Sequence, residues 1–285
     1  MAGRGQPEDA ALTRGTVSRP TLCVQADGTR EALPQQLVVE EPLEIRVAGE
    51  AMATTMRTPG ADHHLALGFL FAEEVITSLA DVGSVYHCGR TDARGYGNAI
   101  DVLPGPGVSL DVERLAEARR RALISSACGV CGRAEIDGLV ARLSARRAPD
   151  VRVPAGLLRE LPALLARDQA LFARTGGLHA ASALDLAGEV LAHAEDVGRH
   201  NAVDKVVGQL LHRGTTRCRA AVLAVSGRAS FEIVQKAAVA GFACVASISA
   251  PSSLAAATAE ATGITLASFV RDGRFTLYAH PQRVD

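Results

Sequence analysis

The chain has 285 residues, of which 48% are hydrophobic and only 4% aromatic, and it contains no Trp. A chain of this length can bury a substantial core, which must here be built from Ala, Val, Leu and Ile. Because 30 Lys and Arg residues stand against 31 Asp and Glu residues, the overall charge gives no reason to expect a nucleic-acid partner or a membrane surface.

The sequence also carries no sign of export. No apolar run approaches the length of a membrane span, and the first 20 residues lack the apolar centre of a secretory signal. Four of the six cysteines stand alone in the sequence, namely Cys23, Cys88, Cys218 and Cys244. Isolated cysteines are typical of a reducing compartment, so we expect a cytoplasmic protein that binds neither membrane nor nucleic acid.

The first half of the chain predicts a tail followed by a mixed portion. Residues 1–20 are rich in Gly, Pro and charge without periodicity, and we expect a disordered tail there. A smaller N-terminal α+β portion is predicted over 21–147. It includes alternating, strand-like residues from Leu37 onward and a helix at about 62–76 that Asp62 is expected to cap.

The second half, 148–285, predicts an α/β core that binds a ligand. A hairpin around Gly188 is followed by the apolar strands AAVLAVSG, CVASISAP and ITLASFV, which alternate with helices of about a dozen residues. This alternation indicates β-α-β crossovers. We therefore expect a largely parallel sheet flanked by helices.

Two of these strands end in turns suited to an anion. In open α/β sheets, ligands bind outside the carboxyl ends of the strands, where helices begin. Ser226 and Arg228 follow one strand, and Ser252 follows the next. Hydroxyls at a helix start favour an anion, and the planar guanidinium of Arg228 suits phosphate. The alternative is plain helix capping, since Ser is a common cap.

The segment EDVGRHNAVDK, residues 195–205, concentrates charge around another helix start. Asn201 and Lys205 are four residues apart and can face the same way on a helix. A solvated helix start would explain the two acids through the helix dipole, but it gives no reason for Gly-Arg-His-Asn in series. We therefore include His200 and Lys205 in the candidate site.

The stretch SACGVCG places Cys128 and Cys131 two residues apart on a glycine-rich loop. A thiol near a helix N-terminus or beside a cation has a lowered pKa and is more reactive. Arg133 and a helix predicted from about Ala134 supply both features. The pattern thus favours exposed, reactive thiols over packed ones.

Four interpretations of this CxxC pair stay open on the residues alone. Zinc would need two further ligands, and His179 is one possible contributor. Thiol–disulfide exchange uses the same spacing, but the strand-then-helix context of thioredoxin is absent. A sulfur carrier would hold a sulfane sulfur on one thiolate, and the second thiol would assist its release. Two incidental buried thiols are the last interpretation.

The motifs taken together resemble the formate dehydrogenase accessory sulfurtransferases, the FdhD family of sulfur carriers. The resemblance extends from about Leu37 to the C-terminus. The segments that carry it are SACGVCG at 126–132, TGGLHAAS at 175–182, EDVGRHNAVDKVVG at 195–208, SGRASFEIVQKAAVAG at 226–241, SAPSSLA at 249–255 and ITLASFVRDGRFTLY at 264–278.

The resemblance implies a specific sulfur relay. Cys128 would receive sulfur from a cysteine desulfurase as a persulfide, with Cys131 supporting the transfer. The acceptor would be the molybdenum bis(pterin guanine dinucleotide) cofactor, before its insertion into formate dehydrogenase. The resemblance further implies a homodimer and a cytidine-deaminase-like core. Since His179 is followed by two alanines rather than by the Glu of the zinc deaminases, neither deaminase chemistry nor a resident metal is expected.

The resemblance also indicates where the cofactor would bind. Arg271 and Arg274 could contact phosphate and Asp272 could accept from a guanine edge, although Asp272-Gly273 is by itself a strong turn signal. The expected cofactor-binding residues are Phe269, Val270, Arg271, Asp272, Gly273, Arg274, Ser226, Arg228, Ser249, Ser252, His200 and Lys205. Two alternatives are a chaperone that only delivers the cofactor and a zinc-binding CxxC protein.

Overall fold

The computed structural model describes residues 15–91, 97–108, 133–214 and 221–285. These residues form a two-stranded ribbon, a four-stranded sheet and a six-stranded sheet with helices packed around them. The mixed α/β class expected from the sequence is confirmed. The CxxC pair lies outside the described residues.

The ribbon corrects the expected length of the disordered tail. It consists of β1 (Thr16–Val24) and β2 (Arg30–Val38), which pair antiparallel. Residues 16–20 therefore lie in a strand rather than in a tail that extends to residue 20. The composition of this segment is turn-like and gave no local strand signal, but pairing with β2 satisfies its backbone groups. The partner is the next strand, across the turn at residues 25–29, and the composition of residues 16–20 does not reveal it.

The four-stranded sheet and the first helix form the rest of the N-terminal portion. The strands, in the spatial order β4-β3-β6-β5, are β3 (Glu41–Val47), β4 (Glu50–Arg57), β5 (Val82–Thr91) and β6 (Gly97–Pro104). Helix α1 (Asp62–Ala72) occupies most of the helix expected at 62–76. Asp62 does not cap α1. Its carboxylate instead accepts from Nε and Nη2 of the buried Arg57, at 3.0 and 2.9 Å.

The remaining elements build the six-stranded sheet and its helices. In chain order they are α2 (Arg133–Ser144), α3 (Ala155–Arg167), α4 (Ala170–Thr175), β7 (His179–Leu184), β8 (Val190–Asp196), α5 (Arg199–His212), β9 (Val222–Val225), α6 (Phe231–Ala240), β10 (Cys244–Ser247), α7 (Ser253–Thr262), β11 (Thr265–Arg271) and β12 (Arg274–Ala279).

This sheet is mixed, and the prediction of a largely parallel sheet is wrong. Its strand order is β12-β11-β10-β9-β7-β8. Only β9, β10 and β11 run parallel to one another, and the crossover helices α6 and α7 join them. Antiparallel hairpins, β7–β8 and β11–β12, form the two edges, and β7 is antiparallel to β9. Alternating strands and helices cannot reveal which strands are neighbours, so the pattern overestimated the parallel part.

Helices cover both faces of this sheet. One hydrophobic cluster combines residues of α3 with β7, β9, β10 and β11. The other combines α5, α6 and α7 with α1 and with strands of the four-stranded sheet. The second cluster therefore contains residues from both sides of the boundary expected between 147 and 148, and the division into two units stays a prediction.

Helices α1 and α5 cross in direct backbone contact. A Cβ added to Gly68 of α1 would lie 1.8 Å from the carbonyl oxygen of Asp204, and one added to Gly208 of α5 would lie 1.9 Å from that of His64. No side chain fits at either position. Two glycines thus set how closely the N-terminal portion approaches α5.

A buried carboxylate fixes the start of α5. Asp196, at the end of β8, is fully buried and accepts from Lys205 Nζ at 2.6 Å, the Gly198 amide at 2.8 Å and Asn201 Nδ2 at 3.0 Å. The Thr58 amide, just after β4, donates to the same carboxylate at 3.2 Å. The expectation that Asn201 and Lys205 share one helix face is confirmed, but that face is turned inward.

Replacing Gly68 by Ala should destabilise the protein through the α1–α5 crossing. Overpacking a core costs about 1–3 kcal/mol, and because the obstacle here is backbone we expect a loss near the upper end. Gly138→Ala in α2 is the matched control, since a Cβ there meets nothing within 4 Å and should gain about 0.5–1 kcal/mol. Urea unfolding measures both; equal midpoints for the two variants would contradict the tight crossing.

Replacing Lys205 by Met should also destabilise the protein. The change leaves the buried Asp196 carboxylate without its cation, and breaking a buried pair in this way costs about 3–5 kcal/mol. Urea unfolding again provides the measurement, with Asp196→Asn/Lys205→Met expected to recover part of the loss. A Lys205→Met protein of unchanged stability would contradict the structural role assigned to the Asp196–Lys205 pair.

Candidate functional site

The carboxyl ends of β9, β10 and β11 bring three of the predicted segments together. The turn after β9 is bonded to the turn after β10, because the Ala229 amide donates to Ala250 O at 3.2 Å and the Ser252 amide donates to Ala229 O at 2.9 Å. The Phe269 amide of β11 donates to Ser249 O at 3.1 Å. The Ser226, Ser249 and Phe269 regions therefore form one continuous edge.

Two further elements reach this edge through antiparallel strands. His179 begins β7, beyond the carboxyl end of β9, and Arg199 begins α5 directly after β8. A Cβ on Gly227 would lie 3.2 Å from His179 Nδ1 and 3.5 Å from Arg199 Cβ. The absence of a side chain at Gly227 thus lets His179 and Arg199 converge on the turn after β9.

Two clefts open at this edge. The smaller, of about 380 Å³, is lined by Arg199, Arg228, Ala229, Ser230, Ala250, Pro251 and Ser252. The larger, of about 600 Å³, is lined by Pro162, Leu165, Gln169, Phe172, Gly176, Gly177, Leu178, His179, Ser226 and Ile248. Arg199 and Arg228 give the first cleft positive charge, whereas His179 and Ser226 are polar residues among the mostly apolar side chains of the second.

The helices at the edge differ in whether a side chain caps the backbone N–H groups at their N-termini. Ser252 caps α7 by accepting from the Ala255 amide at 3.1 Å. Neither α5 nor α6 has a side-chain cap. The Oγ of Ser230, which precedes α6, instead lies 3.1 Å from His200 Nε2. The N-termini of α5 and α6 thus have no side-chain cap among the described residues, and the positive ends of these helix dipoles favour an anion.

Cations dominate the electrostatics of the site. Burial lowers the pKa of His179, and the nearby Arg199, His200 and Arg228 lower it further. The buried Nε of Arg199 has no hydrogen-bond partner among the described residues. Glu232 is engaged with His200, whose Nε2 lies 2.8 Å from its carboxylate, and this hydrogen bond lowers the pKa of Glu232. The edge thus holds the cations Arg199 and Arg228, with Glu232 as a carboxylate that engages His200 and also interacts with Arg199.

The expected residues of β11 and its hairpin divide between core and surface. Val270 is only 1% exposed and its side chain packs in the cluster beneath α3, so it offers a ligand no side chain. The Arg271 guanidinium lies over the Phe269 ring, 5.5 Å from its centroid. Asp272 and Gly273 both have positive φ, which confirms the turn signal and leaves the two arginines exposed beside the edge.

Three other expected residues are occupied by internal bonds. The Ser226 Oγ accepts from the Ala180 amide at 2.9 Å and so joins β7 to β9. Lys205 is 2% exposed, and besides Asp196 its ammonium donates to Thr58 O at 2.9 Å and Glu195 O at 3.4 Å. With its three donors occupied, Lys205 supports α5 from inside rather than contacting a ligand. The Ser252 Oγ accepts a hydrogen bond from its own helix, as the capping interpretation of this turn predicted.

Sequence reasoning missed Arg199 and Ser230 as site residues and considered His179 only as a possible zinc ligand. Arg199 stands in the segment already singled out, next to His200, and its position as the first residue of α5 was the available signal. His179 reaches the edge only because β7 is antiparallel to β9, which no local pattern revealed.

The described part of the chain contains neither a cluster of metal ligands nor a membrane-spanning helix. Within it, no group of three or more His, Cys, Asp or Glu side chains could hold a metal ion. No helix there is both long and apolar enough to cross a bilayer. A zinc site that included Cys128 or Cys131 would lie outside these residues.

Comparisons with known proteins agree with the assembled motifs. A model of the FdhD/NarQ family matches residues 38–285. The chain is 54% identical over 281 residues to a sulfur carrier protein FdhD of Anaeromyxobacter dehalogenans (strain 2CP-C), covering 96% of each chain. It is 45% identical over 277 residues to a sulfur carrier protein FdhD of Streptomyces coelicolor, covering 96% of this chain and 97% of the relative.

A solved structure shares the fold. It is described as a formate dehydrogenase accessory protein from Desulfotalea psychrophila, with a TM-score of 0.72 over 95% of this chain and 99% of that chain. At 22% identity the likeness concerns the fold alone. The family model and the near-full-length relatives go further, and they show that the chain belongs to the FdhD/NarQ family.

Proposed function

We propose that this chain is a sulfur carrier that serves the maturation of a formate dehydrogenase. The observation that carries the proposal is its near-full-length similarity to proteins named sulfur carrier protein FdhD, combined with a CxxC pair on a glycine-rich stretch. The description of the structural neighbour as a formate dehydrogenase accessory protein supports the same process.

The proposed chemistry begins at Cys128. Its thiolate attacks the terminal sulfur of a persulfide on a cysteine desulfurase, which keeps its own thiolate as the leaving group. Cys128 then carries the sulfane sulfur as a persulfide. When the Cys131 thiolate attacks Cys128, the terminal sulfur leaves as sulfide toward the acceptor and a Cys128–Cys131 disulfide forms. A cellular dithiol reduces that disulfide and restores the carrier.

The proposed acceptor is the molybdenum bis(pterin guanine dinucleotide) cofactor, held as a substrate at the sheet edge. Its pyrophosphates suit the cationic cleft, where Arg228 and the amides of α5 and α6 are available. Arg271 and Arg274 on the adjacent hairpin add exposed cations. A dinucleotide arm is long enough to continue from this cleft along the edge, and guanidinium groups match phosphate in geometry and charge.

Several features implied by the family resemblance stay predictions. They are a cytidine-deaminase-like core, a homodimer, a cysteine desulfurase and a formate dehydrogenase as partners, and a cytoplasmic location. The zinc alternative also stays open, and about one zinc per chain, lost in Cys131→Ala, would establish it.

Incubation with a cysteine desulfurase and cysteine should load sulfane sulfur on Cys128. We expect one added sulfur by mass spectrometry in the unmodified protein, and none at this position in Cys128→Ala. Cys88→Ala is the matched control, because Cys88 belongs to β5 and is separated from the CxxC pair in the sequence, so its loss should change nothing. Loading that persists undiminished in Cys128→Ala and disappears in Cys88→Ala would refute the assignment.

The double variant Arg271→Gln/Arg274→Gln should separate sulfur loading from delivery. Loss of two charge-assisted contacts, each worth about 1.5–3 kcal/mol, should weaken cofactor binding at least tenfold while sulfane sulfur on Cys128 stays normal. Arg30→Gln, an exposed change on the ribbon, is the control. Measured formate dehydrogenase activity should fall with the double variant and with Cys128→Ala; full activity in Cys128→Ala would favour a chaperone that only delivers the cofactor.

A further inference from the structure

His179 occupies the junction between the two clefts. It lines the larger, mostly apolar cleft together with Ser226. Its ring also faces the space above Gly227 that Arg199 approaches from the side of the smaller, cationic cleft. A charge placed in the smaller cleft therefore lies beside Arg199 and Arg228, the two arginines that act on the His179 ring.

The groups around His179 leave it in a positive environment. Arg199 and His200 face it from α5, Arg228 faces it from the turn after β9, and Asp196 faces it from β8. Asp196 offers little compensation, since its carboxylate is already paired with Lys205. Burial and these cations lower the pKa of His179, so the ring is mainly neutral at neutral pH.

A bound anion would reverse this balance. A doubly charged group between Arg199 and Arg228 would neutralise the cations that oppose protonation. The Nε of Arg199, a residue that lines this cleft, has no hydrogen-bond partner within the described part of the chain. Linkage requires the converse as well, so that a protonated His179 strengthens anion binding. The two coupled groups are the anion in the smaller cleft and the His179 ring, with Gly227 between them.

We propose that His179 is a proton-linked binding residue, which takes up a proton when a dianionic phosphate or sulfate group binds in the cleft between Arg199 and Arg228. The proposal rests on the proposed function only in identifying that group with a pyrophosphate of the cofactor. Binding is then favoured as pH falls, and loss of the proton from His179 assists release.

Sulfate is the appropriate probe, because its charge stays constant from pH 6 to pH 8 whereas that of phosphate does not. Calorimetric titration of the full chain should give a sulfate affinity that rises about threefold to tenfold between pH 8 and pH 6, since one pKa unit at a linked group corresponds to a factor of ten. In parallel, the NMR signal of the His179 ring should titrate at higher pH when sulfate is saturating.

Two variants identify the linked group. His179→Gln should make sulfate affinity nearly independent of pH. Arg199→Gln should weaken sulfate binding and, in the absence of sulfate, raise the pKa of His179, because a cation that opposes protonation is removed. A merely structural role for either residue would not produce that opposite pair of effects.

The proposal is overturned if sulfate does not bind, if the His179 signal ignores saturating sulfate, or if His179→Gln keeps the full pH dependence. It is also overturned if His200→Gln alone abolishes that dependence, since His200 would then be the proton acceptor. These measurements use protein that carries no sulfur. Failure of sulfur loading on Cys128 would refute the proposed function without changing them, and failure of sulfate binding would leave the loading result intact.

Discussion

The arrangement of the candidate site depends on the carboxylate of Asp196. It is fully buried and receives bonds from the start of α5, from Lys205 about two turns further on, and from Thr58 in the N-terminal portion. An unpaired charge in this position would be costly, so the three segments are held together. Arg199 and His200 follow Asp196 by only a few residues, so the position of Asp196 determines where these two residues lie at the sheet edge.

The crossing of α1 and α5 reinforces the same constraint from the other side. Because Gly68 and Gly208 allow backbone contact, α5 is enclosed by α1 on one side and by the six-stranded sheet on the other, and residues 201–208 are all buried. A helix held in this way cannot shift without disturbing α1 and the six-stranded sheet. The N-terminal portion therefore contributes to the site indirectly, by fixing the helix whose first residues line the cationic cleft.

The sequence predicted those features that depend on neighbours along the chain. The apolar strands β9, β10 and β11 and the turns that follow them were predictable, because periodicity and turn chemistry are local. Features set by strand pairing and by packing between elements were not predictable. The antiparallel pairing of β7 brings His179 to the edge, and pairing with β2 makes a strand of residues 16–20. Lys205 was expected to contact a ligand, but it is buried and supports α5 from inside. The role of Cys128 and Cys131 is still known only through family resemblance and chemistry.

The site holds cationic side chains close together before any ligand binds, so the surrounding structure must keep them in place. The guanidinium groups of Arg199 and Arg228 repel each other, and burial together with the nearby Arg199, His200 and Arg228 lowers the pKa of His179. Such a cluster would relax away from the edge if it were carried on mobile segments. Here α5 is anchored by Asp196, and the turn that bears Arg228 is bonded to the turn after β10. An anion thus meets donors that are already in place, and binding does not have to order them.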